Sequence, residues 1–311
     1  MLPTFYQTHL QKQLTRTQLI LLTILLDLIQ SEKQVRLERL VRVFPYPITV
    51  ESRRRKLQRF LDLPQLTISL IWFPLIAYWL TTYCSVGQTL SIAIDRSQWG
   101  CINLFTLALI WKKRAIPLYW CLLPKLGNSN LSEQTLALQQ VLPLFKEYKV
   151  IVLGDREFCS VDLGSWPGAM GVSFCLRLKK NHCLEIENSI WQRLDQLGVV
   201  PGTALYFKGV RVRKTRPLVG FDIACKWKRN WVHLTFANVS KKSYLFLDQL
   251  LITFSDGLIF LYFQNFLTRL TLYFCKEFLL PLLSGLLAVV GLRVSFYLPH
   301  LYLTILLAFS F

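Results

Sequence analysis

Acid is what this sequence is short of. Eighteen Asp and Glu face 36 Lys and Arg, a net charge of +18, and charged residues of both signs make up only 17% of the 311 positions. So little charge on so apolar a chain (53% hydrophobic) excludes an intrinsically disordered protein, which pairs high charge with low hydrophobicity. The N-terminus, MLPTFYQTHLQKQLTRTQ, lacks the apolar stretch and small-residue cleavage site of a secretory signal. Its eight cysteines (Cys84, Cys101, Cys121, Cys159, Cys175, Cys183, Cys225, Cys275) contain no Cys-x-x-Cys pair, and four scattered histidines supply no ligand cluster. A zinc site is therefore not expected, and buried thiols in a reducing cytoplasm are. Internal repeats and low-complexity linkers are also missing.

Two signals remain, and they pull apart. The basic surplus points to nucleic acid or a membrane surface, whereas a mean hydropathy of +0.37 hints at membrane spans. They occupy different parts of the chain. Residues 1–242 hold 33 basic and 15 acidic residues and carry the whole +18. Residues 243–311 hold three of each (Arg269, Lys276, Arg293; Asp248, Asp256, Glu277) in a Phe/Leu-rich tail.

Along the chain, residues 14–30 and 33–43 read as helices, with Leu37, Leu40, Val41 and Phe44 at three-to-four spacing. FPYPI (44–48) breaks that pattern. Another helix opens near Thr49 and carries Arg53, Arg54, Arg55, Lys56 and Arg59. Nine basic residues within 31–60, against three acidic ones, fit either a solvated helix face or a helical DNA-binding arm. Residues 63–94 contain no charge, yet the apolar stretch 68–80 is too short to span a bilayer and holds Pro74. The expectation there is a buried helix leading into the strand TLSIAID. Strands follow at 101–111 and 114–122, joined by the basic turn 112–114. A helix opens at Asn130 with a capping box to Glu133, VIVLGD (150–155) is a core strand, and GVSFCLRLK (171–179) is another strand. Residues 203–236 look antiparallel and basic. The expected class is α/β, with a mixed sheet.

Asp95 closes the first of these strands and Asp155 the fourth, and this order sets those two strands side by side. Adjacent carboxylates repel unless one is protonated or both share a cation. Mg²⁺ prefers hard oxygen ligands, and a pair of such ions serves phosphodiester chemistry. The competing account makes Asp95 a turn cap and pairs Asp155 with Arg96 or Arg156.

IDRSQW, LALIWKKRAIPLYW and VLGDREF resemble the insertion-sequence DDE transposases marked by a Tyr-Arg-Glu-Lys signature (the IS-four-like group), over about residues 35–236. The resemblance implies a ribonuclease H-like catalytic domain with a β-rich insertion, and a helical DNA-binding arm before it. Carried over residue by residue, it makes Asp95 and Asp155 the first two catalytic, metal-binding carboxylates, with Mg²⁺ or Mn²⁺ as cofactor. Arg96, Trp99, Arg156 and Phe158 are motif neighbours without an assigned role. The partners implied are double-stranded DNA at transposon ends and target, and a second copy of the chain as a homodimer, in the cytoplasm on the nucleoid, with no membrane partner. Lys208, Arg211, Arg213 and Lys214, with the basic helix, would grip phosphates.

The signature's third carboxylate should follow WVHLTFANV (231–239). Three positions after Tyr244, Tyr262, Tyr273, Tyr297 and Tyr302 stand Leu247, Asn265, Lys276, His300 and Ile305, none of them arginine, and the surroundings of Glu277 do not match. Either the tail is membrane-embedded, or it is read out of frame after about residue 235, where the basic character, motifs and strand pattern all stop. The second account is preferred. The expected organisation is a helical DNA-binding region over 1–85, a catalytic domain over 86–240 with its β insertion from about 180, and an apolar tail over 241–311 outside the native fold. The function expected is a DNA transposase or its inactive remnant; the alternatives are a membrane-associated basic protein and a non-catalytic DNA-binding competitor.

Overall fold

The computed structural model describes residues 4–32, 35–111, 114–179, 181–187, 190–200, 203–212, 218–228 and 231–237. The chain divides into two compact units, one centred on Met1–Cys84 and including Trp99–Ile102, the other made of Ser85–Gln98 and the residues from Asn103 to Phe260.

The first unit is helical: α1 (Thr4–Leu10), α2 (Arg16–Glu32), α3 (Leu37–Val43), α4 (Val50–Leu61) and α5 (Phe73–Tyr83). Helix α2 buries Leu21, Leu22, Leu25, Leu26 and Ile29, a stripe at helical spacing. The prolines in 44–48 separate α3 from α4, and Thr49 caps α4 by accepting from the Ser52 amide. The uncharged run is not one long span. A π-helical turn (Ile68–Trp72) leads into α5 with Pro74 in its first turn, and the Leu70 carbonyl, four residues before that proline, is met by the His9 ring at 3.1 Å. Trp72, Leu75, Ile76, Trp79 and Leu80 are buried there. Helix α1 is an element the sequence reading missed: its seven residues are too few to show a period, though Tyr6 and Leu10 are buried.

The second unit is mixed α/β. Its elements are β1 (Thr89–Trp99), β2 (Ile102–Trp111), β3 (Arg114–Leu122), α6 (Leu131–Val141), β4 (Lys149–Gly154), α7 (Val161–Ala169), β5 (Ser173–Arg177), β6 (Cys183–Glu187), β7 (Ile190–Arg193), β8 (Ala204–Val212), β9 (Leu218–Lys228) and β10 (Trp231–Ala237). Among the described residues, the ten strands form one sheet in the order β3-β2-β1-β4-β5-β10-β9-β8-β6-β7. β1, β4 and β5 run parallel, as strands linked by helical crossovers do, and β2–β3 and β8–β9–β10 are antiparallel. The parallel centre is apolar on both faces, so β4 is buried from Val150 to Gly154. Asn130 and Glu133 make the reciprocal capping box at the start of α6.

One boundary differs from expectation. β1 does not close at Asp95 but runs four residues further, to Trp99; it is β4 that stops, at Gly154. β1 is hydrogen-bonded to β2 on its other side, so its pairing in the sheet does not end with β4.

Candidate active site

Strands β1 and β4 pair in parallel register from Thr89↔Lys149 to Ile94↔Gly154. The next position on each chain is Asp95 and Asp155. Side chains at paired parallel positions leave the sheet on the same face, so the register itself sets the two carboxylates beside one another where β4 ends. Gly154 makes the exit from β4 possible. A Cβ there would meet Leu176 Cδ2 at 2.8 Å and Phe158 Cβ at 2.9 Å. The chain then turns through the 3₁₀ segment Arg156–Phe158, whose first amide turn is capped by Asp155 Oδ1 accepting from the Glu157 N–H at 2.9 Å. Asp155 is thus a turn cap and a strand-end carboxylate at once.

Asp95 is half-buried, Asp155 exposed. Burial pushes the Asp95 carboxyl up to about 7, with the negative charges of Asp155 and Glu157 adding to the rise; a hydrogen bond from the Arg96 backbone and the Arg96 charge act the other way.

The arginine beside Asp95 is committed elsewhere. Arg96 Nε donates to Glu157 Oε1 at 2.5 Å, and its Nη1 donates to Asn103 Oδ1 at 3.0 Å and Gln98 Oε1 at 3.2 Å. Asn103, 1% exposed on β2, passes the connection on: its Nδ2 donates to the carbonyls of Lys125 and Gly127, each at 2.8 Å. Gly127 N–H donates to Gln98, and Ser129 makes two long contacts to Glu157 at 3.4 and 3.5 Å. Arg96 therefore pairs with Glu157, not with Asp155. Phe158 is buried, its ring 6.1 Å from that of Phe105. Sequence reasoning passed over Glu157, Gln98, Asn103 and Ser129. The one available signal was Asn103, a polar residue at the head of the apolar strand INLFTLALIW.

Among the described residues no group of three or more His, Cys, Asp or Glu side chains is disposed to hold a metal ion. The pair Asp95 and Asp155 is nonetheless a donor set of the hard oxygen type that fits Mg²⁺ or Mn²⁺, and a cation there would oppose the rise that burial and neighbouring negative charge impose on Asp95. Glu277 and the stretch expected to carry a third carboxylate lie outside the described residues.

The basic residues fall in both units. On α4, Leu57, Phe60 and Leu61 are buried, and Arg54, Arg55 and Arg59 are exposed. Arg55 pairs with Glu51 one turn earlier at 3.2 Å, Lys56 stands 4.8 Å over the Tyr46 ring, and Arg53 donates to the Arg42 carbonyl at the end of α3. In the second unit Lys208 is exposed on β8, and Arg211 meets Glu185 at 3.4 Å. Arg213 and Lys214 lie outside the described residues. Among the described residues no helix is long and apolar enough to cross a membrane.

No protein-family model matches the chain, and no curated protein does. Among solved structures the chain is similar to the piggyBac transposase in a cryo-EM structure of its synaptic complex with hairpin DNA, at 11% identity and a TM-score of 0.41, covering 81% of this chain and 54% of that one. The chain thus spans about half the length of that transposase.

Proposed function

We propose that the chain is a DNA transposase by descent, of the DDE group with the Tyr-Arg-Glu-Lys signature, which has kept the first two carboxylates of its site. The observation that carries this is the parallel register that sets Asp95 beside Asp155. The strand order β3-β2-β1-β4-β5, with helical crossovers around β4, supports a ribonuclease H-like frame. In this reading Asp95 and Asp155 hold Mg²⁺ or Mn²⁺, which when bound supplies Lewis-acid assistance to phosphodiester cleavage and joining. The chain's own part is to keep both carboxylates in register and to hold DNA. Exposed Arg54, Arg55 and Arg59 on α4, and Lys208 on β8, grip phosphates there, with Arg53, Lys56, Arg211, Arg213 and Lys214 as the remaining basic candidates. The homodimer and the nucleoid location follow from the same reading.

The tail is, on this proposal, read out of frame after about residue 235, so the chain is an inactive remnant. The first test is translation of the other two frames beyond codon 235. An intact Tyr-x2-Arg-x3-Glu-x6-Lys in one of them supports the reading, and its absence from both overturns the frameshift. The second test is biochemical. A frame-restored chain should nick end-sequence DNA with Mg²⁺ and lose this with Asp95→Ala, and the present chain should bind DNA without nicking it. If the restored chain does not nick, the catalytic reading fails. The competing role, a non-catalytic competitor for transposon ends, draws on the exposed arginines of α4; it gains if the present chain blocks nicking by the restored one.

A further inference from the structure

Arg96 and Glu157 stand in the two segments that carry the acidic pair, one residue after Asp95 and two after Asp155, yet neither belongs to that pair. Strand alternation sends Asp95 and Arg96 off β1 on opposite faces. The guanidinium spreads over three acceptors on three segments: Glu157 in the turn after β4, Asn103 on β2, and Gln98 further along β1. Both amide groups then engage the backbone of 125–127, Asn103 through the Lys125 and Gly127 carbonyls and Gln98 through the Gly127 N–H. Ser129 closes the ring back to Glu157. The ion pair is largely withdrawn from water, with Arg96 and Glu157 side chains 13% and 15% exposed. In such a setting, removing one partner leaves the other buried and uncompensated. A lysine could keep the charge but not the planar fork that reaches several acceptors at once.

We propose that Arg96 and Glu157 are positioning residues, whose ion pair fastens the Asp155 turn and the 125–129 segment to β1 as a single unit beside Asp95. The fastening itself needs no function to be assumed; its consequence for a bound cation rests on the proposal above. The test uses the full chain and two conservative variants, Arg96→Lys and Glu157→Gln, with Asp95→Asn as control. Hydrogen–deuterium exchange is followed at peptides covering 125–129 and 155–158. Both variants should speed exchange in both segments together, by roughly tenfold, the equivalent of one charge-assisted hydrogen bond. Loosening of one segment alone, or of neither, overturns the proposal. Should Arg96→Lys fail to fold, as judged by far-ultraviolet circular dichroism, Glu157→Gln carries the same test.

Mn²⁺ binding, read from the paramagnetic resonance of the free ion, separates positioning from mere stabilisation. In the folded variants the Mn²⁺ dissociation constant should rise roughly 10- to 100-fold, as for other groups that orient metal ligands. Joint loosening with unchanged Mn²⁺ affinity overturns the positioning role. Asp95→Asn should weaken Mn²⁺ binding and leave both exchange rates as they were. If it leaves Mn²⁺ binding intact, the acidic-site reading fails, and the fastening is judged on exchange alone.

Discussion

Asp95→Asn isolates the electrostatics of the acidic pair, because it keeps the side chain's shape and removes its charge. Burial, reinforced by Asp155 and Glu157, carries the Asp95 carboxyl from its ordinary 3.8 to about 7. The folded chain therefore holds this proton more tightly than the unfolded chain. The resulting stabilisation is fully present below the unfolded value, near pH 4, and is lost as pH rises through about 7. At 1.36 kcal/mol per pH unit, the interval of about three units caps the effect at about 4 kcal/mol. Half-burial at a strand end screens it, and about two of those units lie between pH 5 and pH 8, so the wild type should lose about 1–2 kcal/mol over that interval through this group. The assay is urea unfolding of wild type and Asp95→Asn side by side at both pH values, followed by tryptophan fluorescence; pH effects from the rest of the chain cancel in the difference. The variant should gain about 1–2 kcal/mol on the wild type in going from pH 5 to pH 8. Millimolar Mg²⁺ should restore stability to the wild type at pH 8 and not to the variant, because a ligand of the folded state stabilises by mass action. Parallel pH profiles for the two proteins would refute the reasoning, as would a variant that loses ground to the wild type at pH 8.

Further outcomes follow from the same geometry. Asp155→Asn keeps a side-chain oxygen for the Glu157 amide but removes the neighbouring charge, so the pH at which wild-type stability falls should move down, measured by the same urea series. Gly154→Ala places a methyl within 2.9 Å of Leu176 and Phe158 and should cost about 1–3 kcal/mol by urea midpoint; a neutral result would mean the turn gives way easily. Asn130→Ala breaks the reciprocal cap of α6 and should cost about 1 kcal/mol in the same measurement. Arg54→Ala and Arg59→Ala should each weaken binding to any duplex and lower the slope of log affinity against log salt by about one, read by fluorescence anisotropy; an unchanged slope removes that residue from the interface.

The parts of the fold legible in the sequence were those with a strong local signature. The alternation in TLSIAID, the apolar run VIVLG, the capping box at Asn130 and the prolines of 44–48 each fix an element through short-range physics, and each element stands where that physics puts it. The adjacency of β1 and β4 was legible too, because helical crossovers bring parallel strands together. Lost from view was whatever depends on pairing across the sheet. β1 passes Asp95 as the hydrogen-bonded neighbour of β2, and Arg96 is tied to a residue 61 positions away; no periodicity reports either. Arg96 was weighed as a partner for Asp155, whereas it bonds Glu157, two residues beyond. In a tight turn a shift of two residues reverses which carboxylate faces the guanidinium, and sequence spacing alone does not decide it.

That choice of partner matters for what the acidic pair can do. Were Arg96 to neutralise Asp155, the two strand-end carboxylates would carry an internal counter-ion, and Asp95 would have less cause to hold a proton near neutrality. Because the guanidinium is hydrogen-bonded to Glu157, its charge offsets only part of the rise that burial, Asp155 and Glu157 impose on Asp95. The motif Asp-Arg at 95–96 and the motif Gly-Asp-Arg-Glu-Phe at 154–158 thus divide two tasks among neighbouring residues. Gly154 and Phe158 shape the turn, Arg96 and Glu157 fasten it, and Asp95, whose carboxyl burial and the charges of Asp155 and Glu157 push up, gains from a bound proton or cation. Asp155→Asn joined to Glu157→Gln examines that division directly. If the two tasks are separate, Asp155→Asn alone should bring the Asp95 titration down with little change in hydrogen exchange at 125–129. Adding Glu157→Gln should loosen 125–129 as much as it does in the wild-type background. An added effect that depends on the residue at 155 would mean that cap and fastening are one interaction, and the separation argued from the hydrogen bonds would fall.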